Sequence, residues 1–228
     1  MIRHLFLDLD DTVLDFHSAE RAAISESFRE VGVEPTERIL TRYSEINRLC
    51  WKRLERGELT RSEVLLERFR LLYRELALEA SPERTQEIYE YRLSLEHPFM
   101  EGGLELLEKL LGRYKLYIAS NGTARVQDRR IADTGIAHFF DGIFISERVG
   151  FDKPKKEFFD FCLKSIGNPE RDECMIIGDS LTSDIQGGKN AGILTCHFNP
   201  RAYPAESGIK PDYEIRTLGE LPRLLERI

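Results

Sequence analysis

The chain opens on an apolar run, IRHLFLD (residues 2 to 8), which stops abruptly at Asp8, Asp10 and Asp11. Similar short runs recur at KLYIASN (115 to 121), GIFIS (142 to 146), CMIIGD (174 to 179) and ILTCHF (193 to 198). Runs of this length, apolar throughout rather than alternating, are what a strand covered on both faces produces. Between the later runs the apolar positions take helical spacing: Leu104, Leu107 and Leu111, then Phe158, Phe161 and Ile166. A further helical stretch from Thr182 to Ala191 is closed by Gly192 as a C-cap. Strands alternating with helices in this way predict an α/β fold built on a parallel sheet.

The interval between the first two strands is different. Roughly a hundred residues stand where a βα connection uses a few residues and one helix, so a unit has been inserted. Its apolar residues follow four helical stripes: Ile24, Phe28 and Val31; Ile39, Tyr43, Ile46, Cys50 and Leu54; Leu65, Phe69, Leu72 and Leu76; Ile88, Tyr91 and Leu95. The segments VGVEPT, RGELT and EASPE supply the breaks, and His97-Pro98 with Gly102-Gly103 marks the return to the sheet. The expected organisation is a core of residues 1–16 and 98–228 and an inserted helical bundle of residues 17–97.

Composition narrows the function classes. A net charge of -7 argues against a nucleic-acid polymer as partner, because a phosphate backbone is met by a basic surface. Small anionic substrates remain open, since a few local cations can hold one. The four cysteines, Cys50, Cys162, Cys174 and Cys196, form no CxxC pair, so neither a zinc site nor a disulfide framework is expected, and a reducing cytoplasm fits. Strand-like sequence begins at Ile2 without a leader, and no stretch approaches the ~18 continuous apolar residues of a membrane span.

In open α/β sheets ligands bind beyond the C-terminal strand ends. There the chain places Asp8, Asp10, Asp11 and Thr12 after the first strand, Ser120 and Asn121 after the second, and Asp179 and Asp184 after the fourth, with Lys153 in the loop GFDKPKKEFF. Carboxylates crowded together repel and raise one another's pKa, and a divalent cation relieves this. Mg²⁺ prefers such hard oxygen ligands and is commonly shared with substrate phosphate. Asp8 and Asp179 are the expected side-chain ligands. Strand alternation would turn the Asp10 carbonyl toward the metal and free its carboxylate for proton transfer. Ser120, the amides around Asn121 and the Lys153 ammonium would hold the anionic oxygens of a phosphoryl group, with Thr12 a further substrate contact.

Calcium and nucleotide loops do not account for these residues. An EF-hand starting at Asp8 would need Gly and Glu where Val13 and Ala19 stand, and GGKNAG (187 to 192) has Ser183 and Asn190 where a Walker loop requires Gly and Ser/Thr.

The stretches FLDLDDTV, IASNG, the lysine of DKPKKEFF and GDSLTSD resemble, in order and spacing, the four motifs of the haloacid dehalogenase (HAD) superfamily. The resemblance spans the chain and implies a Rossmann-like core with a helical cap inserted after the first motif. It implies Asp8 as a nucleophile attacking phosphorus, Asp10 as acid and then base, Ser120 and Lys153 as the phosphoryl clamp, Asp179 as a direct Mg²⁺ ligand and Asp184 as a partner behind it. The run from ISERVGFDKPKKEFFD to IGDSLTSDIQGGKNAGILTCHFN resembles the bacterial pyrimidine 5′-nucleotidase group of HAD phosphatases, which implies nucleoside 5′-monophosphate or another small phosphorylated metabolite as substrate.

Three other functions share parts of this pattern. A receiver-like phosphoacceptor module has similar strand-end acids but no use for an ~80-residue helical insertion, which gives an enzyme a lid. A 2-haloacid dehalogenase releases a halide that needs no proton, so Asp10 argues against it. A sugar phosphomutase shares every core motif. The leaving group would be read by the cap, where Asn47, Trp51 and Arg68 are expected near the edges of the apolar stripes. The arginines Arg48, Arg53, Arg56, Arg61, Arg68 and Arg70 are otherwise expected to form a solvated face paired with glutamates.

Overall fold

The computed structural model describes residues 1–202 and 208–228. All five apolar runs are strands: β1 (His4–Leu7), β2 (Lys115–Ser120), β3 (Gly142–Ile145), β4 (Cys174–Gly178) and β5 (Leu194–Phe198), joined by a sixth, β6 (Tyr213–Ile215). Every pairing between these six strands is parallel, and the order is β3-β2-β1-β4-β5-β6. Two compact units divide the chain, Met1–Phe16 with Pro98–Ile228 and His17–His97.

In the first unit the sheet is covered on both faces, which is why its strands read as unbroken apolar runs. Leu5, Leu7, Leu116, Ile118, Met175, Ile177 and Cys196 point to one face and pack with Leu106, Leu107, Leu110 and Leu221. Phe6, Tyr117, Ala119, Cys174 and Ile176 point to the other and pack with Phe158, Phe159, Cys162 and Leu163. The helices that supply these side chains are α5 (Gly103–Leu110), α8 (Lys156–Ser165) and α10 (Leu221–Leu225), with α6 (Ala124–Thr134), α7 (Ser146–Val149) and α9 (Gln186–Ala191) completing the layers. The Gly187-Gly188 pair has a packing role: a Cβ at Gly187 would press on Phe159 at 2.8 Å and one at Gly188 on Ile176 at 2.5 Å.

Four helices form the second unit: α1 (Phe16–Glu30), whose first residue belongs to the other unit, α2 (Glu37–Glu55), α3 (Arg61–Leu76) and α4 (Pro82–Leu95). Their starts are chemical. Thr36 and Ser81 cap α2 and α4, and Thr60 with Glu63 forms a reciprocal capping box on α3, each leaving fewer orphan amides at a helix start. The bundle core is aromatic, with Tyr43, Phe69 and Tyr89 in mutual ring contact and Phe28 against Tyr43.

Individual stripe positions need correction. Tyr91 is half exposed and Tyr89 takes the inward place, because the buried positions of α4 are Ile88, Tyr89 and Leu93. Leu104, Leu111 and Phe161 are likewise exposed, their inward places taken by Leu106, Leu107 and Leu110 on α5 and by Phe158, Phe159 and Cys162 on α8.

Candidate active site

From β1 the chain crosses one way to β2 and β3 and later the other way to β4, β5 and β6. Strand order therefore reverses beside β1, and the crevice for a ligand lies at the C-terminal ends of the strands flanking it. Asp8 continues the ladder one residue past β1, its amide donating to the Ile177 carbonyl at 2.9 Å. Ser120 ends β2, Asp179 follows β4, and Lys153 lies between α7 and α8.

The structure brings Asp8, Asp179 and Asp184 together, one carboxylate oxygen of each lying within 4.8 Å of the others. Lys153 is buried among them. Its ammonium donates to Asp8 Oδ1 at 2.7 Å, to Asp184 Oδ1 at 2.6 Å and to the Ala119 carbonyl at 2.5 Å. Burial alone would weaken the Lys153 charge, but Asp184 and Asp8 outweigh it and hold the amine above its ordinary pKa. Burial likewise pushes Asp8 up to about 8, against the pull of Lys153 and with a push from Asp184 and Asp10. Asp179 is raised by burial first and then by the charges of Asp11, Asp8 and Asp184.

The other half of Asp184 is fixed by the Ser180 amide at 3.1 Å, and Gly178 leaves the room this needs, since a Cβ there would overlap the Asp184 carboxylate. Three carboxylates around one ammonium leave an excess of negative charge in the ionised state. The donor set is all oxygen and strongly anionic, which fits a hard divalent cation such as Mg²⁺. Of the expected ligand set, Asp8, Asp179 and Asp184 gather here by their carboxylates.

The Asp10 carboxylate goes elsewhere. β1 ends before Asp10, so the separation comes from a tight turn and not from strand alternation: Asp11 takes a left-handed φ of 55°, and the Asp11 amide donates to the Leu14 carbonyl at 2.7 Å. The turn delivers Asp10 to α6, where Arg130 donates to Oδ1 and Gln127 Nε2 donates to Oδ2 at 2.6 Å. Sequence reasoning missed both partners. Their signal was readable: positions 127 and 130 are an i, i+3 pair beside the apolar Val126 and Ile131 on the face of α6 that turns inward.

Ser120 Oγ accepts from the Gly122 amide at 3.0 Å and from Gln127 Nε2 at 2.9 Å, which orients the hydroxyl. Asn121 is a splint for Lys153: its amide nitrogen donates to the Lys153 carbonyl at 2.9 Å and its oxygen accepts the Lys153 backbone amide at 2.9 Å. Thr12 is fully buried, and its hydroxyl has no hydrogen-bond partner among the described residues.

The cap candidates separate. Asn47 and Arg68, expected near the edges of the apolar stripes, are instead inside the bundle, both 3% exposed. Arg68 donates to Asn47 Oδ1 at 2.9 Å and to Gln86 Oε1 at 2.6 Å, with its guanidinium over the rings of Phe69 and Tyr89. Asn47 in turn donates to Glu20 Oε1 at 2.6 Å, and Ser44 donates to Glu20 Oε2 at 2.6 Å. Polar groups this far inside a bundle are kept there by one another. Trp51 is partly exposed beside Arg61, 5.6 Å from guanidinium carbon to ring centroid. Arg53, Arg56 and Arg70 pair at the surface with Glu58 and Glu83.

The family model for haloacid dehalogenase-like hydrolases matches residues 2–192. The chain is 39% identical to the HAD-hydrolase YfnB of Bacillus subtilis over 98% of this chain and 95% of that protein. The crystal structure of YfnB, described as bound to magnesium and as revealing interdomain movement, superposes with a TM-score of 0.93 over 98% of both chains. Pyrimidine 5′-nucleotidase PynA of Streptococcus pneumoniae is 33% identical over 99% of this chain and 95% of that protein, and pyrimidine 5′-nucleotidase YjjG of Escherichia coli 32% over 97% and 96%. With strand-end carboxylates, a buried lysine and the motifs that carry them all in one crevice, this chain belongs to the haloacid dehalogenase-like hydrolases.

Proposed function

We propose that the protein is a Mg²⁺-dependent phosphomonoesterase that works through an aspartyl-phosphate on Asp8 and acts on nucleoside 5′-monophosphates. The observation that carries the reading is the pair of separately held carboxylates: Asp8 bonded to Lys153 inside an anionic cluster, and Asp10 bonded outside it to α6. Asp8 attacks phosphorus, the bond from phosphorus to the ester oxygen breaks, and Asp10 gives that oxygen its proton. Water then attacks the phosphoryl group on Asp8, Asp10 takes the proton, and inorganic phosphate leaves with Asp8 restored.

Lys153 and the Ser120 hydroxyl stabilise the phosphoryl oxygens as charge develops on them. Asp8, Asp179, Asp184 and the Asp10 carbonyl are the groups that would hold Mg²⁺, which when bound neutralises the carboxylates and the incoming phosphoryl group. The named activities of PynA and YjjG support a pyrimidine nucleotide as the leaving group. Trp51, partly exposed and aromatic, is the remaining cap candidate for stacking on a base.

Phosphate release from a panel of nucleoside monophosphates and sugar phosphates, with Mg²⁺ and with chelator, tests the reading. Turnover of pyrimidine mononucleotides that needs the metal is expected. A panel that yields no phosphate in Mg²⁺ sinks it. Trp51→Leu is expected to raise KM for a mononucleotide by about tenfold with little change for p-nitrophenyl phosphate, the loss of one base–aromatic stack. Equal changes on both substrates would remove Trp51 from base recognition.

A further inference from the structure

Gln127 and Arg130 are polar side chains on the inward face of α6, 1% and 0% exposed, and neither belongs to the motifs that define the site. Burying an amide and a guanidinium beside the strand ends is costly unless they find partners. Here the Gln127 amide and Arg130 Nη1 find their partners in the site and in each other. Gln127 Nε2 lies 2.6 Å from Asp10 Oδ2 and 2.9 Å from Ser120 Oγ, so one NH₂ group spans the acid and the phosphoryl clamp. Arg130 Nη1 donates to Asp10 Oδ1 and, at 2.9 Å, to Gln127 Oε1. Because Arg130 can only donate, it obliges the Gln127 oxygen to face it and turns the NH₂ group toward Asp10 and Ser120.

The arrangement also explains Gly122. A Cβ at that position would overlap the Gln127 side-chain amide, so the glycine after Asn121 is space that Gln127 fills. An aspartate carboxylate otherwise turns about its side-chain torsions, and proton transfer requires it within hydrogen-bond reach of the leaving oxygen. Asp10 retains 25% side-chain exposure while both its oxygens are held from the protein side.

We propose that Gln127 and Arg130 are positioning residues that hold the Asp10 carboxylate in the orientation used for proton transfer, with Gln127 coupling it to the Ser120 hydroxyl. The inference rests on the phosphomonoesterase reading and goes beyond it, since the motifs alone assign no role to α6.

The test uses Gln127→Leu, nearly equal in volume and without hydrogen bonds, and Arg130→Lys, which keeps the charge but loses the fork. For each, kcat/KM is measured with p-nitrophenyl phosphate, phenyl phosphate and a nucleoside monophosphate, beside wild type and Asp10→Asn, after circular dichroism confirms the fold. A poorly aligned acid matters most when the leaving oxygen is basic. Gln127→Leu is expected to lose about 30-fold on phenyl phosphate and the mononucleotide but about threefold or less on p-nitrophenyl phosphate, the same selectivity as Asp10→Asn at smaller size. Arg130→Lys should show that pattern more weakly, and it carries the test alone if the leucine variant does not fold.

A folded variant pair that matches wild type, or that loses all three substrates equally while Asp10→Asn remains selective, overturns the positioning role alone. Wild-type protein inactive on every phosphomonoester in Mg²⁺ overturns the phosphomonoesterase reading, and the positioning role with it.

Discussion

Each unit of the molecule buries a charged cluster, and the two are built on opposite principles. In the helical unit, Glu20 and Arg68 are linked through Asn47, while Ser44 and Gln86 take up further bonds. One acid, one base and neutral relays close the account locally. Burial raises Glu20, and its bonds to Ser44 and Asn47 together with the charge of Arg68 pull it back. In the sheet unit, Asp8, Asp179 and Asp184 cluster around a single ammonium that bonds Asp8 and Asp184, and Asp8 and Asp179 are pushed upward. A balanced buried cluster holds a fold together, whereas an unbalanced one crowds three carboxylates at the strand ends, where an ion and an anionic substrate can use them.

Asp8→Asn tests the unbalanced side and carries the largest effect. It should lower kcat by about a thousandfold or more, because an amide is neither the nucleophile nor an equal metal ligand. It should leave the melting temperature near that of wild type, since one of several crowded carboxylates has been removed while Lys153 keeps Asp184. A folded variant with substantial turnover would break the comparison at its functional end.

Arg68→Met tests the balanced side. Removing the base leaves Glu20 without the charge that offsets it, at a cost of about 3–5 kcal/mol in unfolding free energy. Turnover of p-nitrophenyl phosphate per folded molecule should hold. The double variant with Glu20→Gln should recover part of the stability, a coupling of about 1–3 kcal/mol in a double-mutant cycle. Additive losses by denaturant titration would mean that the two charges do not see each other.

The smallest effect sharpens the contrast through pH. Asp8 sits at about 8 in the folded chain against an ordinary 3.8, so the folded state binds its proton more tightly than the unfolded state does. The stability carried by that proton is complete below 3.8 and is lost as pH rises through about 8. Metal competes with the proton for these oxygens. Excess Mg²⁺ should therefore raise the melting temperature by a few degrees, roughly 1–2 kcal/mol, at pH 8.5 and by much less at pH 5. A shift that does not change with pH would place the bound metal away from these carboxylates.

The strands and the strand-end residues were legible because a fully buried strand and an ionisable cluster both write themselves as local runs, at 4 to 8, 115 to 121 and 174 to 179. β6 was not, since Tyr213–Ile215 is three residues long with a glutamate at its centre, on the edge of the sheet. Gln127 and Arg130 escaped for a different reason: their partner Asp10 lies more than a hundred residues away, and only the β1–β2 pairing makes the contact local. Asn47 and Arg68 were expected near the edges of the apolar stripes, where a polar side chain could reach the leaving group. Four hydrogen bonds among Glu20, Ser44, Asn47, Arg68 and Gln86, distributed over α1, α2, α3 and α4, draw them inside, and no single helix contains the information.

The Asn121-Gly122 step has a consequence for how the protein ages. Asparagine followed by glycine is the pairing most given to spontaneous deamidation, in which the next residue's backbone nitrogen attacks the side-chain carbonyl, expels the side-chain nitrogen as ammonia and closes a succinimide ring. Here the Asn121 side chain is held at both ends by the Lys153 backbone, and the Gly122 nitrogen is turned to Ser120 Oγ. The contacts that shape the site thus withhold both reactants from ring closure. The folded chain should therefore keep its asparagine longer than the unfolded chain does, and any acidic variant found at position 121 after storage would measure time spent unfolded.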